Sequence, residues 1–90
     1  MLFSDQVEIR WDETKNRRLK KTRGVSFEEL LAAKFITVRQ HPKRDHQSLL
    51  LMERRGYVWV IPFVAVPGGV YLKTLFPSRY WTKEYKKGHL

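Results

Sequence analysis

The sequence predicts an α+β fold, with a small antiparallel or mixed sheet of about four strands, two helices ahead of it and one short helix behind it. Three observations carry that prediction. Helix-start signals at Asp12 and Ser26 precede a stretch in which turn residues separate short apolar, β-branched segments. One of those segments, residues 57–65, is apolar on both faces and so belongs in the middle of a sheet. A third helix-start residue, Ser78, follows Pro77 and opens the final segment.

The elements follow in order. Residues 7–11 alternate, with Val7, Ile9 and Trp11 on one side and Glu8 and Arg10 on the other, as in a half-buried strand. Asp12 is an N-cap, Glu13 suits the positive end of a helix, and Gly24 is a C-terminal stop after Arg23, so a helix is expected over about residues 12–22. Leu19 is nearly its only apolar side chain, so apolar burial on a wide face cannot hold it. Ser26 and Glu29 form a capping box, and Val25 and Leu30 a hydrophobic staple. Phe27, Leu30, Leu31 and Lys34 then share a face, which predicts a second helix to about residue 34. Residues 35–39 read as a strand ended by Pro42. A meander follows, with strands over residues 49–53, 57–65 and 70–76 and turns at Arg54-Arg55-Gly56 and Pro67-Gly68-Gly69. Pro62 removes a ladder donor from the central strand, which marks a bulge or a point where pairing shifts. Ser78 then caps a basic helix with Trp81 and Tyr85 one turn apart.

Ninety residues are the length of one domain, expected over residues 1–90, and leave little room for a deep cleft. Without cysteine there is neither a disulfide framework nor a thiolate metal site. The N-terminus has no targeting pattern, and no stretch approaches the roughly 18 apolar residues of a membrane span. A cytoplasmic protein with no membrane partner is the expectation. Eighteen Lys and Arg against nine Asp and Glu give a formal charge of +9, which calls for an acidic partner: nucleic acid, an anionic membrane surface or an acidic protein, among which charge alone does not choose.

The string Trp11-Asp12-Glu13-Thr14-Lys15-Asn16, followed by Lys21-Thr22-Arg23-Gly24-Val25-Ser26-Phe27-Glu28-Glu29, resembles the signature that opens the BrnT-like toxins. Residues 71–79, Tyr71-Leu72-Lys73-Thr74-Leu75-Phe76-Pro77-Ser78-Arg79, with Thr82, resemble that family's closing strand and its Ser-Ala-Arg-Lys-Ala-Thr helix start. The resemblance implies a RelE-like fold and the toxin of a bacterial type II toxin-antitoxin pair, a ribonuclease that inhibits translation by cutting RNA. It also implies a cognate ribbon-helix-helix antitoxin, through which alone the toxin would meet DNA. Where the family often has Lys-His this chain has Thr22-Arg23, and an arginine stays charged and can only stabilise an anion.

RNA cleavage without a metal needs a base, an acid and cations around the developing phosphorane charge. Lys73 and Arg79, near the end of the sheet, are the candidates for charge stabilisation, although Arg79 can instead pair with Glu84 and Lys73 can simply be solvated. His41, ahead of His46 across a polar loop, is the candidate for proton transfer. Tyr80 and Tyr85 can stack on a base, but at helix spacing packing is their more common use. Lys15, Arg17, Arg18, Lys20, Lys21 and Arg23, together with Lys83, form the candidate nucleic-acid-binding set. Seven cations against two anions lie between Arg10 and Arg23. No zinc cluster, glycine-rich phosphate loop or converging carboxylates suggest a metal or other cofactor, so cleavage is expected without magnesium. Two other functions fit the same cations: a non-catalytic RNA- or DNA-binding module, and a domain that docks an acidic antitoxin.

Overall fold

The computed structural model describes residues 6–90, so the reading of the first five residues lies outside it. The chain runs β1 (Glu8–Arg10), α1 (Glu13–Arg23), α2 (Phe27–Leu31), β2 (Lys34–Gln40), β3 (Gln47–Arg54), β4 (Tyr57–Val66), β5 (Gly69–Leu72), β6 (Phe76–Pro77) and α3 (Arg79–Lys86). The strands make one mixed sheet in the order β1-β5-β4-β3-β2, with β6 also pairing β4. Only β1 and β5 are parallel.

The expected caps are in place. Asp12 accepts from the Lys15 N–H, Gly24 adopts φ 80°, and Ser26 and Glu29 complete the reciprocal capping box. The second helix stops at Leu31, however, and Lys34 opens β2 instead of extending the helical face. Across the β3–β4 hairpin the two-residue turn places Arg55 and Gly56 both at positive φ, the type I′ geometry that matches strand twist.

Two corrections concern the sheet. It has six strands, not about four, and the stretch expected as a single strand over residues 70–76 is broken into β5 and β6. Pro62 explains the break. Its carbonyl accepts from Lys73 N–H (2.8 Å), so its backbone faces the β5/β6 edge of β4, where its ring nitrogen has no proton to give. β5 pairs with residues 63–66 of β4 and β6 with Trp59 and Val60, one on each side of that missing donor. The pairing of β4 with β3 on its other edge runs unbroken from Gln47↔Val64 to Arg54↔Tyr57. Gly69, expected in the turn, is the first residue of β5, and a Cβ there would overlap the Glu8 carbonyl of β1.

Apolar residues alternate through the sheet into two cores. Leu19, Phe27 and Leu30 of the helices pack with Leu50, Met52 and Ile61 on one side. On the other, Leu49, Leu51, Val58 and Val60 pack with Trp81 and Tyr85 of α3. This makes three layers with β4 in the middle.

Polar bonds hold the helices where apolar area is short. Asn16, 3% exposed, anchors α1 to α2: its Oδ1 accepts from Phe27 N–H (2.9 Å) and its Nδ2 donates to Glu28 (2.7 Å) and Glu13 (3.2 Å). On the far side, Thr82 docks α3. Its hydroxyl accepts from Val58 N–H (2.9 Å) and donates to the Ser78 carbonyl (2.6 Å), while Ser78 N–H donates to the Val58 carbonyl (2.9 Å). Thr82→Val keeps the shape but strands a buried amide of the central strand. It is expected to cost about 1–3 kcal/mol in chemical denaturation, and a loss below about 0.5 kcal/mol would contradict that role.

Candidate functional site

The ladder break opens a cleft of about 310 Å³. Pro62 of β4, Gln47 of β3 and Phe76 of β6 lie on the α3 side of the sheet by register, since they alternate with or pack among Val58, Val60, Leu49 and Leu51. Lys73 and Thr74 line the cleft from the break itself, His41 and Arg44 from the β2–β3 loop, and Lys15 from α1 across the sheet. No carboxylate lines it, and neither Lys73 nor Arg44 makes an ion pair among the described residues. Lys73 Nζ stands 5.9 Å from the centroid of the Tyr71 ring. Four secondary-structure elements and two connecting segments thus converge on an open hollow carrying three cationic side chains, an arrangement suited to a phosphate.

His41 is half-buried, and its Nδ1 accepts from the backbone N–H groups of Lys43 (3.0 Å) and Arg44 (3.2 Å). An acceptor at Nδ1 means that the neutral ring carries its proton on Nε2. The imidazole as held here is a hydrogen-bond donor through Nε2.

Lys15, His41 and Lys73 are therefore brought together, whereas Arg79 does not line the cleft. Arg79 is the exposed first residue of α3, and Lys83, one turn on, is exposed as well. Glu84 pairs with Lys87 and His89 rather than with Arg79. Arg17, Arg18 and Lys21 line a separate shallow groove of about 320 Å³ with Thr14, on the outward face of α1. Arg23 is exposed at the C-terminal end of that helix. Lys20 is drawn off to the opposite flank, where it binds Glu29 at 2.7 Å. Of the two tyrosines, Tyr85 is tied to Glu53 (2.7 Å) and Lys34 (3.2 Å), while Tyr80 is 63% exposed and edge-on to Trp81.

The Lys20 hydrogen bond, with support from the Ser26 backbone N–H, lowers the Glu29 carboxyl from 4.5 to about 2. A carboxylate depressed on folding contributes stability that is complete above its unfolded value and is lost as pH falls through the folded one. Between pH 4.5 and 2, Glu29→Gln is therefore expected to lose stability with acid less steeply than the parent. Thermal melting at each pH reads this, and parallel curves for the two proteins would refute it.

Arg44, Gln47 and Thr74 were not legible as site residues. The available signals were an arginine between two histidines and a polar residue in phase with the buried Leu49 and Leu51. Among the described residues no three His, Asp or Glu side chains converge so as to hold a metal ion, and no helix is long and apolar enough to cross a membrane.

No family model matches the chain, and no curated protein matches it. Among solved structures it is similar to the crystal structure of the ribonuclease toxin BrnT of Brucella abortus, at 20% identity and a TM-score of 0.52, over 80% of this chain and 96% of that one. At that identity the likeness is one of fold: the layered mixed α+β architecture is shared.

Proposed function

We propose, taking the fold shared with a ribonuclease toxin as the premise, that this chain is the toxin of a type II toxin-antitoxin pair, an endoribonuclease that cuts RNA without a metal and so inhibits translation. The observation that carries the reading is the cleft, where Lys15, Lys73 and Arg44 meet with no carboxylate among them. An RNA phosphate seated there would be surrounded by cations as the 2′-oxygen attacks, its proton passing to solvent water, and as the P–O5′ bond breaks and the 5′-oxygen takes a proton from water. The charge that grows on the phosphorane oxygens would be stabilised more than the ground state. His41 adds a donor through Nε2. With Nδ1 occupied by two amides, its role in this reading is to hold a phosphate oxygen rather than to shuttle a proton. Arg17, Arg18 and Lys21 would track the backbone of the same strand or take the acidic segment of a ribbon-helix-helix antitoxin, and Arg79, Lys83 and Arg23 extend the basic surface.

The occupied Nδ1 also favours a second reading, a non-catalytic module that binds RNA or DNA or docks an antitoxin with the same cations. Purified protein incubated with single-stranded RNA in EDTA separates the two. Fragments in EDTA, with a growth defect on expression, are the expected result. Intact RNA over a wide range of protein concentration, with normal growth, would leave the binding module.

A further inference from the structure

Gln47 is 5% exposed at the first position of β3, and its side-chain amide makes no hydrogen bond with the described residues; among them no enclosed side-chain nitrogen or oxygen lacks a partner, so the amide keeps its small exposed area at the cleft it lines. Its backbone is fully used, since its N–H donates to the Arg44 carbonyl (3.1 Å) and its carbonyl accepts from His41 N–H (3.1 Å). The residues two and four places on, Leu49 and Leu51, are core leucines on the same side of the sheet. A leucine would serve at this position too. An amide whose remaining exposure is to an open cleft is placed to meet a ligand there.

The surroundings indicate the kind of ligand. An amide offers a donor and an acceptor side by side, and the edge of a nucleobase offers the complement. Phosphate is a poorer match, because it only accepts and the cleft already has Lys15, Lys73 and Arg44 for it. Pro62 and Phe76 supply apolar surface against which the face of a base can lie. At about 310 Å³ the hollow has room for one nucleotide rather than for a duplex.

We infer that Gln47 reads the edge of a single unpaired nucleobase in this cleft, which makes the substrate single-stranded RNA with a base preference set at that position. The inference rests on the RNA reading above, but its test does not require cleavage. The full chain is titrated with the four ribonucleoside 3′-monophosphates and with inorganic phosphate, by calorimetry or by chemical-shift perturbation. The best and worst nucleotides are expected to differ by about tenfold or more, the scale of a paired base edge. Gln47→Leu should bring the four to within about twofold of one another. It should leave the affinity for inorganic phosphate unchanged and should not lower the melting temperature, since no internal bond is removed. Gln47→Met, closest in length, serves if the leucine variant does not fold.

Equal affinities in the parent, no binding of any nucleotide, or a base preference that persists in the variants would overturn the inference. A chain that distinguishes bases but leaves RNA intact keeps the base site and loses the ribonuclease. A chain that cuts RNA but binds all four nucleotides equally does the reverse.

Discussion

Lys73→Ala is expected to lose about a hundredfold or more in RNA cleavage, the scale seen when a preorganised donor to a transition-state oxyanion is removed. It should melt close to the parent, because Lys73 is exposed and makes no ion pair among the described residues. The pairing that shapes its segment uses its backbone N–H, which the substitution keeps. Initial rates on a defined single-stranded RNA, with growth after induction, measure the effect. Arg79→Ala is the informative comparison, since its side chain lies outside the cleft. It is expected to weaken RNA binding in a salt-dependent way with a much smaller loss in rate at saturating RNA. If Arg79→Ala stopped cleavage and Lys73→Ala did not, the reacting phosphate would sit at the start of α3 and the proposed cleft would be the wrong place.

Asn16→Leu is expected to be the most damaging single change to stability, at about 3–5 kcal/mol. It removes the acceptor of Phe27 N–H at the start of α2 and both donor contacts to the carboxylates of Glu13 and Glu28. Phe27 is fully buried, so its amide has no water to turn to. For a domain of this size such a loss lowers the melting temperature by more than about 10 °C. Asn16→Asp should do no better, because it sets a third carboxylate between two others and deletes the donors. A melting temperature within a few degrees of the parent in both variants would show that α1 is held by something other than this hub.

The same residue shows which parts of the fold were legible. Asp12, Gly24, Ser26 and Glu29 announce their roles because capping is local: the partners lie within four residues, and any chain with that spacing presents the same orphan amides. The double-faced pattern of β4 identified a central strand for a similar reason, and the misfit of Pro62 was visible in advance. Leu19 as the lone apolar residue of α1 warned that the helix needed another anchor. That the anchor is Asn16 was not visible, because its partners Phe27 and Glu28 come from the next helix.

The site divides in the same way. Lys15, His41 and Lys73 were each chosen for their chemistry, yet nothing in their spacing of about thirty residues places them on one cleft. That depends on the gap between β5 and β6, which exists because one missing N–H on β4 divides its edge between two short strands. For His41 the contact is local but was not legible: the amides of Lys43 and Arg44, two and three residues on, occupy the nitrogen a base would use, because the loop folds back on the ring.

The sequence by itself determined the charge, the helix starts and the central strand, all of which follow from composition and from contacts within a turn or a pleat. Only the tertiary structure decided that the sheet has six strands, that α1 and α3 are held by Asn16 and Thr82, and which of eighteen cations surround a cleft. Those outcomes depend on pairing between residues far apart in the chain, where a backbone donor left without a partner is costly enough to redirect the strands around it.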